Sequence, residues 1–380
     1  MYYRRRTVNL KVAGILIALC VVFSSALGFT GGLVAGRMGA ESNPQVSEPG
    51  TTSADLAAVI KTANSADGQD SGDLPITEIA ALTANSVVEI TTETVTTGRF
   101  MGQYVSEGAG SGVIVTSDGY IVTNNHVVEG ASKIGVRLKN GETYTATLVG
   151  TDEKTDIAVV KISATGLQPA VFGDSDKLQV GQLAVAIGNP LGQLGGTVTD
   201  GIISALDREI DLGDETMNLL QTNAAINPGN SGGGLFNGQG ELIGIVNAKS
   251  SGSDIEGLGF AIPINDVKTV ISDLVKYGYV QGRIDLGMSF VNILDAQTAM
   301  MYRVQSTGLY IKSVTQGSNA ESAGFKAGDR VVSVNGNEIS SLSDLNKVVD
   351  GLTVGQTVSI SVSRSERALT LQLKLAQYKS

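Results

Sequence analysis

Gly112-Val-Ile-Val-Thr-Ser-Asp-Gly-Tyr-Ile-Val-Thr123 is two short β-branched runs joined through Asp118-Gly119. Asp-Gly between such runs signals a hairpin, because a tight turn takes positive φ and these residues tolerate it. The same pattern repeats outward from this point. Val87-Val-Glu-Ile-Thr91 precedes it, and apolar runs at 157–162, 183–187 and 242–246 follow, separated by Gly, Asp and Asn. Many short strands without intervening helices predict an antiparallel barrel or sandwich, not a doubly wound sheet. The first clear helix is expected late, capped by Asn265 and stopped by Gly278, with Val267, Val270, Ile271, Leu274 and Val275 as one apolar stripe.

The 380 residues leave room for two folded domains and connectors. A formal charge of −10 excludes the basic surface that nonspecific nucleic-acid binding requires. At the N-terminus, Arg4, Arg5, Arg6 and Lys11 precede an uncharged, largely apolar run at 12–36. At about 1.5 Å per residue such a run spans a hydrocarbon core of about 30 Å. The charge asymmetry puts residues 1–11 in the cytoplasm, a single transmembrane anchor at 12–36, and the rest of the chain outside the cell membrane. Ser24-Ser25-Ala26 also fits a signal-peptide cleavage site, but the apolar run continues past it, which favours an uncleaved anchor. Cys20, the only cysteine, lies inside this run, so the exported part has no disulfide and depends on core burial. Residues 37–76 are rich in Ser, Thr, Asp, Glu, Gly and Ala and read as a flexible linker.

The stretch Ile226-Asn-Pro-Gly-Asn-Ser-Gly-Gly-Gly-Leu-Phe236 sets one serine, Ser231, among glycines. A serine hydroxyl is a poor nucleophile near neutral pH and needs an adjacent base. The chain offers one histidine, His126, at the end of the second hairpin strand. A carboxylate must orient that imidazole. Asp156, opening the run at 157–162, is the best candidate, while Asp152 and Glu153 sit in a charged turn that reads as solvated. Gly229-Asn-Ser-Gly-Gly233 matches the nucleophile elbow G-x-S-x-G, whose residues run Ser, acid, His. Here the order is His126, Asp156, Ser231, and a strand-like run follows the serine, so the elbow reading fails.

Four segments, GSGVIVTSDGYIVTNNHVV, TDIAVVKI, AINPGNSGGGLFN and GLGFAIP, resemble those of the HtrA (DegP-like) serine proteases in order and spacing. The similarity runs from Thr77 to the C-terminus. It implies a mainly β chain: a chymotrypsin-like double β-barrel protease domain at 77–278, followed by a PDZ domain at 279–380. His126 is then the general base and later acid, Asp156 its orienting partner, and Ser231 the nucleophile. The N–H groups of Gly229 and Ser231 form the oxyanion hole. Gly234 stands where many relatives have proline or alanine, which adds backbone freedom after the nucleophile. Six residues before Ser231, where trypsin has a selecting aspartate, the chain has Ala225, so small or medium aliphatic side chains are the expected specificity. Asn230 and the segment Asn247-Ala248-Lys249 are the other expected substrate contacts, the latter as a pairing edge.

In the C-terminal part, Ala323-Gly324 and Gly328-Asp329 are similar to turn residues of PDZ domains in the same proteases. Asn335-Gly336 signals a turn, and a short helix is expected at about 343–349. Gly257-Leu-Gly-Phe260 spells a carboxylate-binding loop, but it runs into the segment that closes the protease domain. Leu286-Gly287-Met288-Ser289, opening the second domain, is the better loop for a peptide's terminal carboxylate. The resemblance implies an ATP-independent endoprotease of the stress response, acting on unfolded polypeptides and assembling as a homotrimer. A proteolytically silent peptide-binding scaffold is the alternative. The sequence implies no metal, nucleotide or other cofactor: it has no Cys/His cluster and no phosphate-cradling Gly-Lys-Ser/Thr.

Overall fold

In the computed structural model, Val113 pairs with Val122 and Ile114 with Ile121, so the 112–123 stretch forms the expected hairpin. The structure describes residues 72–98, 102–189, 196–211, 216–248 and 257–379. The hairpin's connection is wider than a two-residue turn. Val115 N–H donates to Tyr120 O at 2.9 Å, and Gly119 N–H donates to Thr116 O at 3.2 Å. Gly119 has φ 107°, but Asp118 keeps negative φ. A type I′ turn needs positive φ at both central residues, so a four-residue loop forms instead.

Strands β1 (Val87–Gly98), β2 (Gly102–Ile114), β3 (Tyr120–Asn124), β4 (Lys133–Arg137), β5 (Thr143–Asp152) and β6 (Ile157–Lys161) close a barrel in the order β1-β2-β3-β6-β5-β4. Strands β7 (Leu183–Gly188), β8 (Thr197–Asp211), β9 (Thr216–Thr222), β10 (Gly234–Phe236), β11 (Leu242–Val246) and β12 (Gly259–Pro263) close a second. Its order, β7-β8-β9-β12-β11-β10, repeats the topology of the first. Alternate residues of one strand serve different cores. Ile121, Ala158 and Val160 fill the first barrel, whereas Val122, Ile157 and Val159 join a cluster with Val185, Ile187 and Phe236 of the second. Burial on both faces makes 157–162 read as an unbroken apolar run rather than an alternating one.

Helix α1 (Ile76–Thr83) was not expected. Its Ile79 is fully buried in the cluster shared by the barrels, and Leu74 N–H donates to Gly238 O at 2.8 Å. The folded body therefore begins inside the stretch read as linker. Helix α2 (Asn125–Val128) is a single turn after β3. Helix α3 (Ile264–Tyr277) buries Val267, Val270, Ile271 and Leu274 of the expected stripe, with Val275 partly buried beside them, and Gly278 ends it at φ 78°. Pro263, not Asn265, occupies its N-cap position. Asn265 lies one residue inside the helix and donates from Nδ2 to Asp174 Oδ1 at 2.7 Å. That bond holds the Asp174 carboxyl below the usual carboxylate range.

Strands β13 (Ile284–Asp285), β14 (Met288–Ile293), β15 (Gly308–Val314), β16 (Arg330–Val334), β17 (Asn337–Glu338), β18 (Thr357–Arg364), β19 (Arg367–Lys374) and β20 (Ala376–Gln377) follow. The main sheet runs β14-β15-β16-β18-β19, with β17 on β16, while β13 pairs with β20. Helices α4 (Ala296–Tyr302), α5 (Asn319–Ala323) and α6 (Leu342–Asp350) complete a domain with its own core around Leu309, Val331, Leu345 and Ile360. Asn335 and Gly336 both take positive φ, 49° and 86°, between β16 and β17, as the turn signal requires. Asp152 is 3% exposed, not solvated: Arg283, which precedes β13, donates to its two oxygens at 2.8 and 2.6 Å.

The anchor expected at 12–36, Cys20, the tail at 1–11 and the linker as far as residue 71 lie outside the described residues. Among the described residues no helix is long and apolar enough to cross a membrane.

Candidate active site

His126 and Asp156 reach one barrel rim because β3 and β6 are neighbours, with Asn124 paired to Ile157. Asp156 closes the β5–β6 turn in the left-handed region at φ 52°. Its carbonyl accepts from Asn125 N–H and from Asn124 Nδ2, both at 3.0 Å, which ties the start of α2 to it. His126 therefore stands on a short helix rather than on the strand end expected. Its backbone N–H donates to Asp156 Oδ1 at 3.0 Å, and its ring Nδ1 lies 2.6 Å from Oδ2. The imidazole's other nitrogen, Nε2, lies 3.0 Å from Ser231 Oγ. The side chains of His126 and Asp156 are 22% and 7% exposed, so the carboxylate is shielded while the imidazole faces the cleft.

Ser231 comes from the loop between β9 and β10, where Gly229 and Gly232 both take positive φ (96° and 83°). Neither Gly229 N–H nor Ser231 N–H has an acceptor among the described residues. Two free amides beside a serine–imidazole–carboxylate line can receive a developing oxyanion. The cleft over them holds about 470 Å³ and is lined in part by Thr92, Glu107, Val127, Glu129, Gly229 and Ala248.

The other expected contacts divide. Ala225 is exposed, and its carbonyl accepts from Thr199 Oγ1 at 2.9 Å. Ala248 lines the cleft, and its N–H lies 3.2 Å from Ser231 Oγ. Asn230 is 3% exposed and packs against Gly188, so its side chain does not line the cleft. Asn247 is fully buried, and its side chain does not meet substrate: Nδ2 donates to Asp156 Oδ2 at 3.0 Å. Sequence pattern could not disclose this bond, which joins residues 91 positions apart. Lys249 lies outside the described residues. Gly234 is not a flexible point. It lies within β10, where an added Cβ would come within 2.4 Å of the buried Phe236 ring, so glycine accommodates that ring.

A model of the trypsin-like peptidase domain matches residues 110–245, and one of the PDZ domain matches 284–375. The chain is 46% identical over 286 residues to Serine protease Do-like HtrB of Bacillus subtilis (strain 168), covering 70% of this chain and 62% of that protein. It is 39% identical over 289 residues to Serine protease Do-like HtrA of Lactobacillus helveticus, covering 72% of this chain and 70% of that one. The chain belongs to the HtrA family. Among solved structures, the HtrA-type protease AlgW with decapeptide superposes at a TM-score of 0.53 with 34% identity, covering 81% of this chain and all of that chain. Against the two Bacillus subtilis relatives, HtrB and HtrA, the chain spans 62% and 64% of their length.

In this HtrA-family chain only Leu286 and Gly287 of the expected loop lie between β13 and β14, while Met288 and Ser289 already belong to β14, the edge strand of its sheet. Gly287 takes φ 66°, and its N–H donates to Asp285 Oδ1 at 2.6 Å, so this amide is already occupied by an internal carboxylate. Ser289 is bonded to Ser313 at 2.6 Å across the ladder. Leu286 and Met288 open onto a cavity of about 720 Å³ that touches Ser343, Asn346 and Lys347 of α6 and is walled on its other side by Asp152, Glu153 and Lys154 of the first barrel. Gly257 precedes β12 and Phe260 lies within it, and neither lines this cavity.

Proposed function

We propose that this chain is a serine endoprotease acting outside the cytoplasm on unfolded or damaged polypeptides. The observation that carries the reading is the line from Asp156 Oδ2 through the His126 ring to Ser231 Oγ, with steps of 2.6 and 3.0 Å. Ser231 Oγ attacks the scissile carbonyl while His126 Nε2 takes its proton, and Asp156 keeps Nδ1 facing away from the nucleophile. The negative charge on the tetrahedral carbonyl oxygen meets the N–H groups of Gly229 and Ser231. His126 then protonates the leaving amine, and water, activated by the same imidazole, releases the acyl group from Ser231.

The C-terminal domain gives the substrate class its physical sense. The edge of β14 can pair with an extended peptide, and the cavity that Leu286 and Met288 share with α6 and the first barrel lies next to that edge. Folded proteins hide extended backbone, and unfolded ones display it. The relative named AlgW was solved with a decapeptide. The proposal extends to an anchor at 12–36 that holds the protein at the cell membrane and to a trimer of the soluble part. Membrane fractionation of the full chain and light scattering on a chain starting near residue 72 test these two.

The direct test uses soluble protein and an unfolded casein-like substrate. Wild type is expected to cleave it, and Ser231→Ala to bind without cleaving. Equal turnover by Ser231→Ala, or binding without turnover by wild type, would overturn the reading, the latter in favour of a silent scaffold.

A further inference from the structure

Ser111 lies on β2, in the first barrel, and is fully buried. Its hydroxyl donates to Gly229 O at 2.7 Å and accepts from Asn189 N–H at 2.8 Å. Its backbone N–H donates to Ser231 O at 2.8 Å, and its carbonyl accepts from Thr123 Oγ1 at 2.7 Å. Asn189 follows β7, and Gly229 and Ser231 precede β10, so three of these four bonds cross to the second barrel.

The nucleophile turn can be accounted for peptide by peptide. Gly229 O is held by the Ser111 hydroxyl, and Asn230 N–H of the same peptide donates to Asn227 O at 3.0 Å. Asn230 O accepts from Gly233 N–H at 2.9 Å, which leaves Ser231 N–H facing the other way. Ser231 O accepts from Ser111 N–H, and Gly232 N–H donates to Val246 O at 3.0 Å. Among the described residues, the N–H groups left without an acceptor in this turn are those of Gly229 and Ser231. Two of its three carbonyls accept from Ser111.

We infer that Ser111 is a positioning residue: its hydroxyl pins the Gly229–Asn230 peptide, which links the two donor peptides, and so sets the Gly229 and Ser231 N–H groups relative to each other, an inference that rests on the proteolytic reading above. The need arises from Gly229. A glycine at φ 96° has a wide range of ψ available, and nothing in its own chemistry fixes its peptide orientation. The hydroxyl of Ser111 fixes it by satisfying a carbonyl that burial would otherwise leave unpaired. The backbone packs closely around Ser111. An added Cβ on Gly232 would come within 2.2 Å of Ser111 O, and one on Gly188 within 3.0 Å of Ser111 Oγ.

The test is Ser111→Ala in the otherwise intact chain, with rates normalised to sites titrated by a fluorophosphonate. The variant keeps the Ser111 N–H bond to Ser231 O and frees only the Gly229–Asn230 peptide of the turn. Losing one oxyanion donor outright costs ~10²–10³ in turnover, so misaiming one against the other is expected to lower kcat by about 10- to 100-fold. KM is expected to stay within about twofold, because peptide binding does not use these amides. Affinity for a peptide boronate, which forms a tetrahedral adduct on Ser231, is expected to fall in proportion to kcat. A purely structural role would reduce the titrated fraction and leave kcat per site unchanged, and that result overturns the inference. KM rising as far as kcat falls overturns it too. Should the alanine variant not fold, Ser111→Cys, of similar size and with a weak donor, is read in the same way. If wild type itself fails to cleave, the proteolytic reading has failed. If wild type cleaves and the variant matches it, only the role of Ser111 has failed.

Discussion

Asn247 donates from Nδ2 to Asp156 Oδ2 at 3.0 Å, the same oxygen that lies 2.6 Å from His126 Nδ1. The carboxylate thus cannot swing away from the imidazole without breaking a buried bond. Hydrogen bonds to charged groups are worth about 1.5–3 kcal/mol, and each ~1.4 kcal/mol off the barrier is tenfold in rate. Asn247→Ala is therefore expected to lower kcat by about tenfold or more with little change in KM. Steady-state kinetics on a peptide substrate checks this, and an equal rise in KM would point to a lost substrate contact instead.

Gly232 takes φ 83°, and a Cβ there would sit 2.2 Å from Ser111 O and 2.3 Å from Thr123 Oγ1. Gly130, at φ 66°, has nothing within 4 Å of that position. Gly130→Ala is expected to cost about 1 kcal/mol from backbone conformation alone. Gly232→Ala adds overpacking and is expected to cost about 2–4 kcal/mol in all. Denaturant unfolding of the pair separates the two contributions, and equal losses would contradict the packing at Gly232.

Arg283 closes on the buried Asp152 with both side-chain oxygens engaged. Removing one partner of a buried pair leaves an uncompensated charge, and the quarter-exposed arginine moderates the penalty. Arg283→Ala is expected to destabilise the chain by about 2 kcal/mol or more. Because Arg283 lies between the protease barrels and the C-terminal sheet, early proteolytic nicking near residue 280 is the accompanying readout. Unchanged unfolding would contradict the pairing.

Asn265 keeps the Asp174 carboxyl lower in pKa in the folded chain than in the unfolded one. A depressed acid contributes stability above its unfolded pKa of about 4, and loses it as pH falls through the folded value. Asp174 is partly exposed, so solvent screening reduces the effect. Asn265→Ala is expected to cost about 0.5–1 kcal/mol near neutral pH, with the gap to wild type narrowing in acid. A gap that widens in acid would contradict the assignment.

The strands were legible because hairpin and strand signals are local: the 112–123 run needs only its own residues to read as paired strands, whereas the choice of barrel over sandwich came from the family resemblance. The stripe of α3 and its stop at Gly278 were legible for the same reason. Helices α1 and α2 were not, since eight and four residues are too few for a 3.6-residue period to declare itself. Pairings over long separations were hidden as well. Asn247 read as a substrate edge and Asp152 as a solvated turn residue, because their partners lie 91 and 131 positions away. The motif order His126, Asp156, Ser231 was visible, whereas the bonds that hold each side chain in place belong to the fold.

Fluorophosphonate labelling followed by peptide mapping tests the central claim most directly, because only an activated serine reacts quickly. The account predicts a single adduct on Ser231, formed more slowly by about 10³-fold or more when His126→Ala removes the base. An adduct on another residue, or labelling of Ser231 at an undiminished rate in the His126→Ala protein, would contradict it.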